Sequence, residues 1–195
     1  MKDRGEFFVP SLGTLYYEGN LDLLKEKIIC IIGTRKPTFT GIKRAEWISK
    51  LAKDCGYITL SGLARGIDTV VHTSSFPNTI AVIPTALMKN TYPKENRELK
   101  SRIIESGGLV ITPFNAFDEL TKSSFVIRDK VQAYLSKFII VIESDLNGGS
   151  MHALRFAHKN NRMVYIPNDE KRLYPLKGKE GIEFVDDESI KKLFV

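Results

Sequence analysis

Six short apolar runs punctuate this chain, separated by stretches with helical spacing, and that alternation constrains the fold more than any other feature. The runs are Ile28–Ile32, Tyr57–Leu60, Thr79–Ile83, Leu109–Thr112, Phe138–Ile142 and Met163–Ile166. The first is five consecutive apolar residues, the mark of a strand buried on both faces, as in a parallel sheet. Between the runs, apolar residues fall at helical intervals. Ile42, Ala45, Ile48, Leu51, Ala52 and Cys55 form one such face, and Gly56 suits the position that ends the helix. Strands alternating with helices through short connections predict a Rossmann-like, doubly wound, largely parallel α/β sheet with helices on both faces. Further predicted helices run from Lys94 to Ser106, from about Phe125 to Ser136, from Ser150 to about Asn160, and from Glu188 to Phe194.

The 195 residues fit one domain: a lead-in over residues 1–27 packed on a main body over 28–195. Phe8-Val9-Pro10 and Leu15-Tyr16-Tyr17 are apolar enough to dock, and Asn20 is placed to cap a short helix over Leu21–Glu26. Two cysteines rule out a disulfide framework and fit the reducing cytoplasm. No apolar run reaches the ~18 residues that would suggest a membrane span, and no signal-peptide core follows Met1. The formal charge of +6 permits a polyanionic partner without requiring one.

In open α/β sheets ligands sit outside the carboxyl ends of the strands. Here those ends carry Gly33-Thr34-Arg35-Lys36, Ser61-Gly62, Pro84-Thr85 and Gly148-Gly149-Ser150. The amides opening the helix after Gly33 offer one site for a phosphate. An ordinary turn with solvated cations fits the stretch equally well, and the turn alone does not decide.

Cofactor readings fail on residue type. A dinucleotide site wants Gly-x-Gly-x-x-Gly after the first strand and an acid ending the second, but Thr34, Arg35 and Ser61-Gly62 stand there. Gly41-Ile42-Lys43 is not a Walker loop. His152 and His158 lie six apart and off a common helix face, so they form no metal pair. No Gly-x-Ser-x-Gly elbow occurs, and Glu143 has no evident catalytic partner, so helix capping or support of a site from behind is its expected role. No cofactor or metal is expected. What remains is a set of glycines and small hydroxyls that admit phosphates to backbone amides. Arg35, Lys36, Arg65, Lys122, Arg128 and Lys130 recur around them, just after strands or near helix starts.

These same residues resemble the DprA/Smf family of DNA-processing proteins. Gly33-Thr34-Arg35 is similar to the family's Gly-Ser-Arg turn. Ser61-Gly62-Leu63-Ala64-Arg65-Gly66-Ile67-Asp68 matches its Ser-Gly-x-Ala-x-Gly-Ile-Asp block, with His72 after it. Tyr92-Pro93-x-x-Asn96, Phe125-Val126-Ile127-Arg128-Asp129-Lys130 and Gly148-Gly149-Ser150 follow in the family's order. The likeness covers roughly residues 10–168. It departs at Pro84 and Ala86, where the family has glycines, at Asp129, where it has Asn, and at Ala153, where it has Thr. About 28 residues follow Pro167, so a minimal form without a winged-helix domain is expected.

The resemblance implies a non-enzymatic protein that binds and protects single-stranded DNA in natural transformation and hands it to a strand-exchange recombinase. It implies a homodimer, for which Val164-Tyr165-Ile166 is expected as an open edge strand. The implied DNA-binding residues are Gly33, Thr34, Arg35, Lys36, Ser61, Gly62, Arg65, Gly66, Lys122, Phe125, Arg128, Lys130, Gly149 and Ser150. Two alternatives share the fold: a nucleotide-sensing module, and a nucleoside-monophosphate phosphoribohydrolase. The second uses Pro-Gly-Gly-x-Gly-Thr-x-x-Glu, and neither that Thr nor that Glu occurs at Gly148–Leu154.

Overall fold

In a computed structural model, which describes residues 3–195, a nine-stranded sheet runs through the molecule with helices on both faces. The chain enters through a hairpin, β1 (Arg4–Val9) and β2 (Gly13–Gly19). A 3₁₀ turn over Leu21–Lys25, N-capped by Asn20, leads into β3 (Ile28–Ile32). Then come α1 (Phe39–Asp54), β4 (Ile58–Ser61), α2 (Ile67–Ser75) and β5 (Thr79–Val82). They are followed by α3 (Arg97–Glu105), β6 (Leu109–Thr112), α4 (Lys122–Leu135) and β7 (Ile139–Val141). The chain closes with α5 (Ser150–Lys159), β8 (Val164–Pro167), β9 (Ile182–Val185) and α6 (Asp187–Lys192).

The strand order is β1-β2-β6-β5-β4-β3-β7-β8-β9. From β3 to β9 and out to β6 every pairing is parallel; the hairpin joins antiparallel, with Tyr16 opposite Thr112. Strand β3 shows why the sheet is layered. Ile28, Cys30 and Ile32 point into the core beneath α4 and α5, whereas Ile29 and Ile31 pack against α1 and α2. Each fully buried aliphatic side chain contributes roughly 1.5–3 kcal/mol, so neither face of this strand can be exposed cheaply. A third cluster packs α3 on β5 and β6 through Leu99, Ile103, Ala81 and Val110.

Several boundaries differ from the sequence reading for local reasons. Helix α1 starts at Phe39 rather than Gly41, because the Thr38 hydroxyl accepts from Gly41 N (3.1 Å). Helix α4 starts at Lys122, ahead of Phe125, where Thr121 and Ser124 form a reciprocal capping box. The lead-in enters the sheet as two strands. The tail is docked: Leu173, Val185, Ile190 and Phe194 are buried, and Arg44 of α1 grips Asp169 with two bonds of 2.8 and 3.0 Å. Because β9 pairs with β8, the stretch Val164-Tyr165-Ile166 is an interior strand; the expected open edge there does not exist. No helix of the described residues is long and apolar enough to cross a membrane.

Candidate functional site

Successive strands β3 to β6 march in one direction across the sheet, and β7 then returns to the other side of β3. The loops after β3 and β7 therefore diverge, leaving a crevice at their carboxyl ends. That crevice is a cleft of about 670 Å³. Its walls are the β3 turn (Gly33 to Lys36), the start and inner face of α4 (Lys122, Phe125, Val126, Arg128, Asp129, Gln132) and the β7 loop with the start of α5 (Ser144, Asp145, Gly148, Gly149, Ser150, His152). Ala64, Asp68, Tyr92 and Arg172 complete it. The two loops are tied at their roots, where Thr34 N donates to Glu143 O (2.7 Å). A larger groove, about 960 Å³ between α5 and the tail, shares Gly148 and His152 with the cleft.

The phosphate site suggested at the head of α1 is already filled. Glu143 accepts from Thr38 N (2.9 Å) and from the Thr38 hydroxyl, which itself caps Gly41 N. A side chain at Gly41 would collide with the Glu143 carboxylate, so this helix closes over its own anion. Glu143 thus performs the capping role expected of it. Helix α5 is different: Gly149 stands at its N-cap with no side-chain hydrogen bond. Although Met151 N and His152 N already donate to Gly148 O (3.1 Å) and Gly149 O (3.0 Å), the amides of Gly149 and Ser150, both residues of the cleft wall, have no acceptor among the described residues and are left for an anion.

Helix α4 supplies the opposite wall. The Arg35 guanidinium lies over the Phe125 ring, 5.5 Å from its centre. Tyr92 meets the same ring edge-on, with centroids 5.3 Å apart. Asn96 holds the neighbouring 61–64 segment by donating to Leu63 O (2.9 Å) and Ala64 O (3.1 Å). An aromatic pair topped by a cation is thereby fixed at the mouth, and Lys122 is exposed at the rim.

The floor is ionic. Arg128, Asp68 and Asp129 are each more than nine-tenths buried. Arg128 Nε lies 2.9 Å from Asp129 Oδ1, and its Nη1 lies 3.8 Å from Asp68 Oδ2. Asp68 also accepts from Gly62 N (3.1 Å) and Ala64 N (3.2 Å). Gly62 has to lack a side chain because the Arg128 guanidinium occupies that space. Burial raises both carboxyls; Arg128 opposes the rise, yet Asp129 is still pushed up to about 6. His72 is buried and lowered to about 3, so it is neutral and unsuited to proton transfer at ordinary pH. Among the described residues no three His, Cys, Asp or Glu side chains group to hold a metal.

Of the residues proposed from sequence, Gly33, Thr34, Arg35, Lys36, Lys122, Phe125, Arg128, Gly149 and Ser150 meet at the cleft. Gly62 and Arg65 line a smaller recess beside it, and Arg65 is paired with Glu95 at 2.7 Å. Three residues are not brought there. The Ser61 hydroxyl is buried and donates to Ile31 O, knitting β4 to β3. Gly66 (φ +76°) lets the chain pass against Thr34 and Arg35. Lys130 points to the hairpin turn, where it donates to Ser11 O (2.9 Å). Sequence reasoning missed Tyr92, Gln132 and Arg172 as cleft residues. Tyr92 belonged to a recognised motif, but Arg172 carried no signal, because it reaches the cleft only through the docked tail.

The raised Asp129 carboxyl has a consequence for stability. Below an unfolded value near 3.8 the group is protonated in both states and costs nothing. Between there and about 6 only the unfolded chain ionises, so its contribution to stability falls as pH rises and stays lost above 6. Asp129→Asn should therefore stabilise the fold at pH 7.5 by on the order of 2–3 kcal/mol, with the gain gone by pH 4. Denaturant melts of both proteins at the two pH values check this; equal stability at pH 7.5 would contradict it.

Comparison with known proteins agrees with this architecture. Residues 10–180 match the family model of DNA recombination-mediator protein A. DNA processing protein DprA of Streptococcus pneumoniae is 34% identical over 154 residues, 77% of this chain and 54% of that protein, so the chain spans about half the relative's length. The solved DprA structure from the same organism superposes with a TM-score of 0.81 at 28% identity, over 93% of this chain and 66% of that one. DNA processing protein A of Helicobacter pylori, solved for its single-stranded DNA binding mode, gives 0.88 at 24% identity over 100% and 96% of the two chains. The family match spans the strands from β2 to β8 and every wall of the cleft, and on it this chain belongs to the DNA recombination-mediator protein A family, the DprA/Smf proteins.

Proposed function

We propose that this chain binds single-stranded DNA in the carboxyl-edge cleft, and that it does so to protect incoming strands and pass them to a strand-exchange recombinase in the cytoplasm during DNA uptake. The observation that carries the reading is the wall built by Arg35, Phe125 and Tyr92 between Lys122 at the rim and the open head of α5. Cations and free amides suit phosphates, whereas an aromatic inside a cleft suits a base that is not paired to another strand. The Helicobacter pylori protein of this fold, described as binding single-stranded DNA, supports the same reading.

We infer no catalytic step. Of the cleft's carboxylates, Asp68 and Asp129 are engaged in an ion cluster and Asp145 faces Arg172 (3.6 Å); Glu143 at its root is a cap, and the cleft's histidine, His152, contacts Arg155 rather than a nucleophile. Family kinship further points to a homodimer, and light scattering at micromolar concentration should give about twice the 22.0 kDa of one chain; a single-chain mass would refute that.

Binding is tested with a labelled oligonucleotide over a range of salt. Arg35→Ala or Lys122→Ala should weaken it about tenfold, largely regardless of sequence, and flatten the slope of log K on log salt by roughly 0.7 for each phosphate no longer neutralised. Lys50, exposed on α1, and Lys192, on α6, are the controls. Lys53 is a poor control because it donates to Phe76 O (2.8 Å). Similar small losses for all four changes would mean diffuse binding to a basic protein. AMP should neither compete at micromolar concentration nor lose its base; competition would favour a nucleotide sensor, and base release an enzyme.

A further inference from the structure

We propose that Asp129 reads a base edge, so that the deepest position of the strand-binding cleft prefers cytosine to thymine; this rests on the single-stranded DNA reading above. Lys122, Phe125, Asp129 and Gln132 all line the cleft, and their spacing of three, four and three places them along one face of α4. From Lys122 to Asp129 the helix rises about 10 Å, comparable to the reach of a nucleotide from its phosphorus to the far edge of its base. The order of chemistry along that face is the order along a nucleotide: a cation for the phosphate, an aromatic ring for the base plane, then polar groups for the edge.

One carboxylate oxygen at this depth is free to accept. Asp129 Oδ1 faces Arg128 Nε at 2.9 Å. With its amide turned to satisfy both neighbours, Gln132 also donates to that oxygen (3.1 Å) and accepts from Gly62 N (2.9 Å). Oδ2 has no hydrogen-bond partner among the described residues and belongs to a side chain lining the cleft. An ionised carboxylate only accepts. Cytosine offers it the N4 amine, the pairing by which Asp and Glu read that base. Thymine places O4 in the same position, and two acceptors repel. The acid also disfavours a phosphate at this depth, which keeps the backbone at the rim with Lys122.

The test compares anisotropy titrations of 20-nucleotide oligo(dC) and oligo(dT) at pH 7.5 and one salt concentration. Homopolymers present the same base to the position in every register. Wild-type protein should bind oligo(dC) about tenfold tighter, the scale of one hydrogen bond to a charged group. In Asp129→Asn the ratio should fall to within about twofold, while both oligonucleotides bind more tightly because a negative charge is gone. An oligonucleotide of the 2-pyrimidinone analogue, cytosine without its amine, should bind the wild type more weakly than oligo(dC) and no more weakly than oligo(dT), which keeps the test open if the variant does not fold. Equal wild-type affinities for dC and dT, with uniform tightening in Asp129→Asn, would show that Asp129 acts as a charge alone and overturn the inference while leaving strand binding intact. A dC preference that survives in Asp129→Asn or in the amine-less analogue would also overturn it. Failure to bind either homopolymer would remove the strand-binding reading itself.

Discussion

The reversal of strand order at β3 is the constraint on which the rest depends. Parallel strands need crossover connections, and a sheet that grows from β3 to β6 and then resumes at β7 must send its loops apart at that junction. The cleft is what this divergence leaves. Its depth is set by Thr34 N on Glu143 O, which fastens the two loops at the root while their tips stay separate. The helices that follow, α1 and α5, begin on either side of the gap, and α4 closes its third wall.

Carboxylates divide this space as much as cations do. Glu143 fills the head of α1, and Asp68 with Asp129 surrounds Arg128 beneath the floor. With both floor carboxylates ionised, that triad has one negative charge in excess. An incoming anion is thus turned away from α1 and from the floor, toward Arg35, Lys36, Lys122 and the head of α5. On the proposed strand-binding reading, the cleft would select by where it refuses a phosphate, and the same refusal would leave its interior to the aromatic ring of Phe125 and to a base. Arg172, on the tail side, is taken up by carboxylates: Glu170 at 2.7 Å, Asp145 at 3.6 Å and Glu143 at 3.8 Å.

Much of this was legible in the chain. The unbroken Ile28–Ile32 run demanded two covered faces, and both are covered; the alternation of runs gave the parallel core. Lys122 stood out by its place near a helix start, Phe125 by the segment it shares with the DprA/Smf family, and Glu143 by its place at a strand end without a catalytic partner. What escaped depends on contacts between distant segments. Glu143 caps a helix 105 residues earlier, so the α1 amides looked free when they were not. β9 is a four-residue strand with a charge at Glu183, too short for its pattern to stand out, yet it turns β8 into an interior strand. Lys130 read like a third cation of the Arg128 segment, but two residues along a helix turn it to another face, toward Ser11.

The central claim is that an unpaired base enters the cleft against Phe125 and Tyr92. Photocrosslinking with an oligonucleotide carrying 5-iodouracil, followed by peptide mass spectrometry, tests it most directly, because the excited base couples to aromatic rings in van der Waals contact. Adducts should concentrate on Phe125 or Tyr92 and disappear when unlabelled single strand competes. Adducts concentrated on Phe156 or Tyr174, along α5 and the tail, or scattered over exposed aromatics such as Phe8 and Phe117, would contradict it.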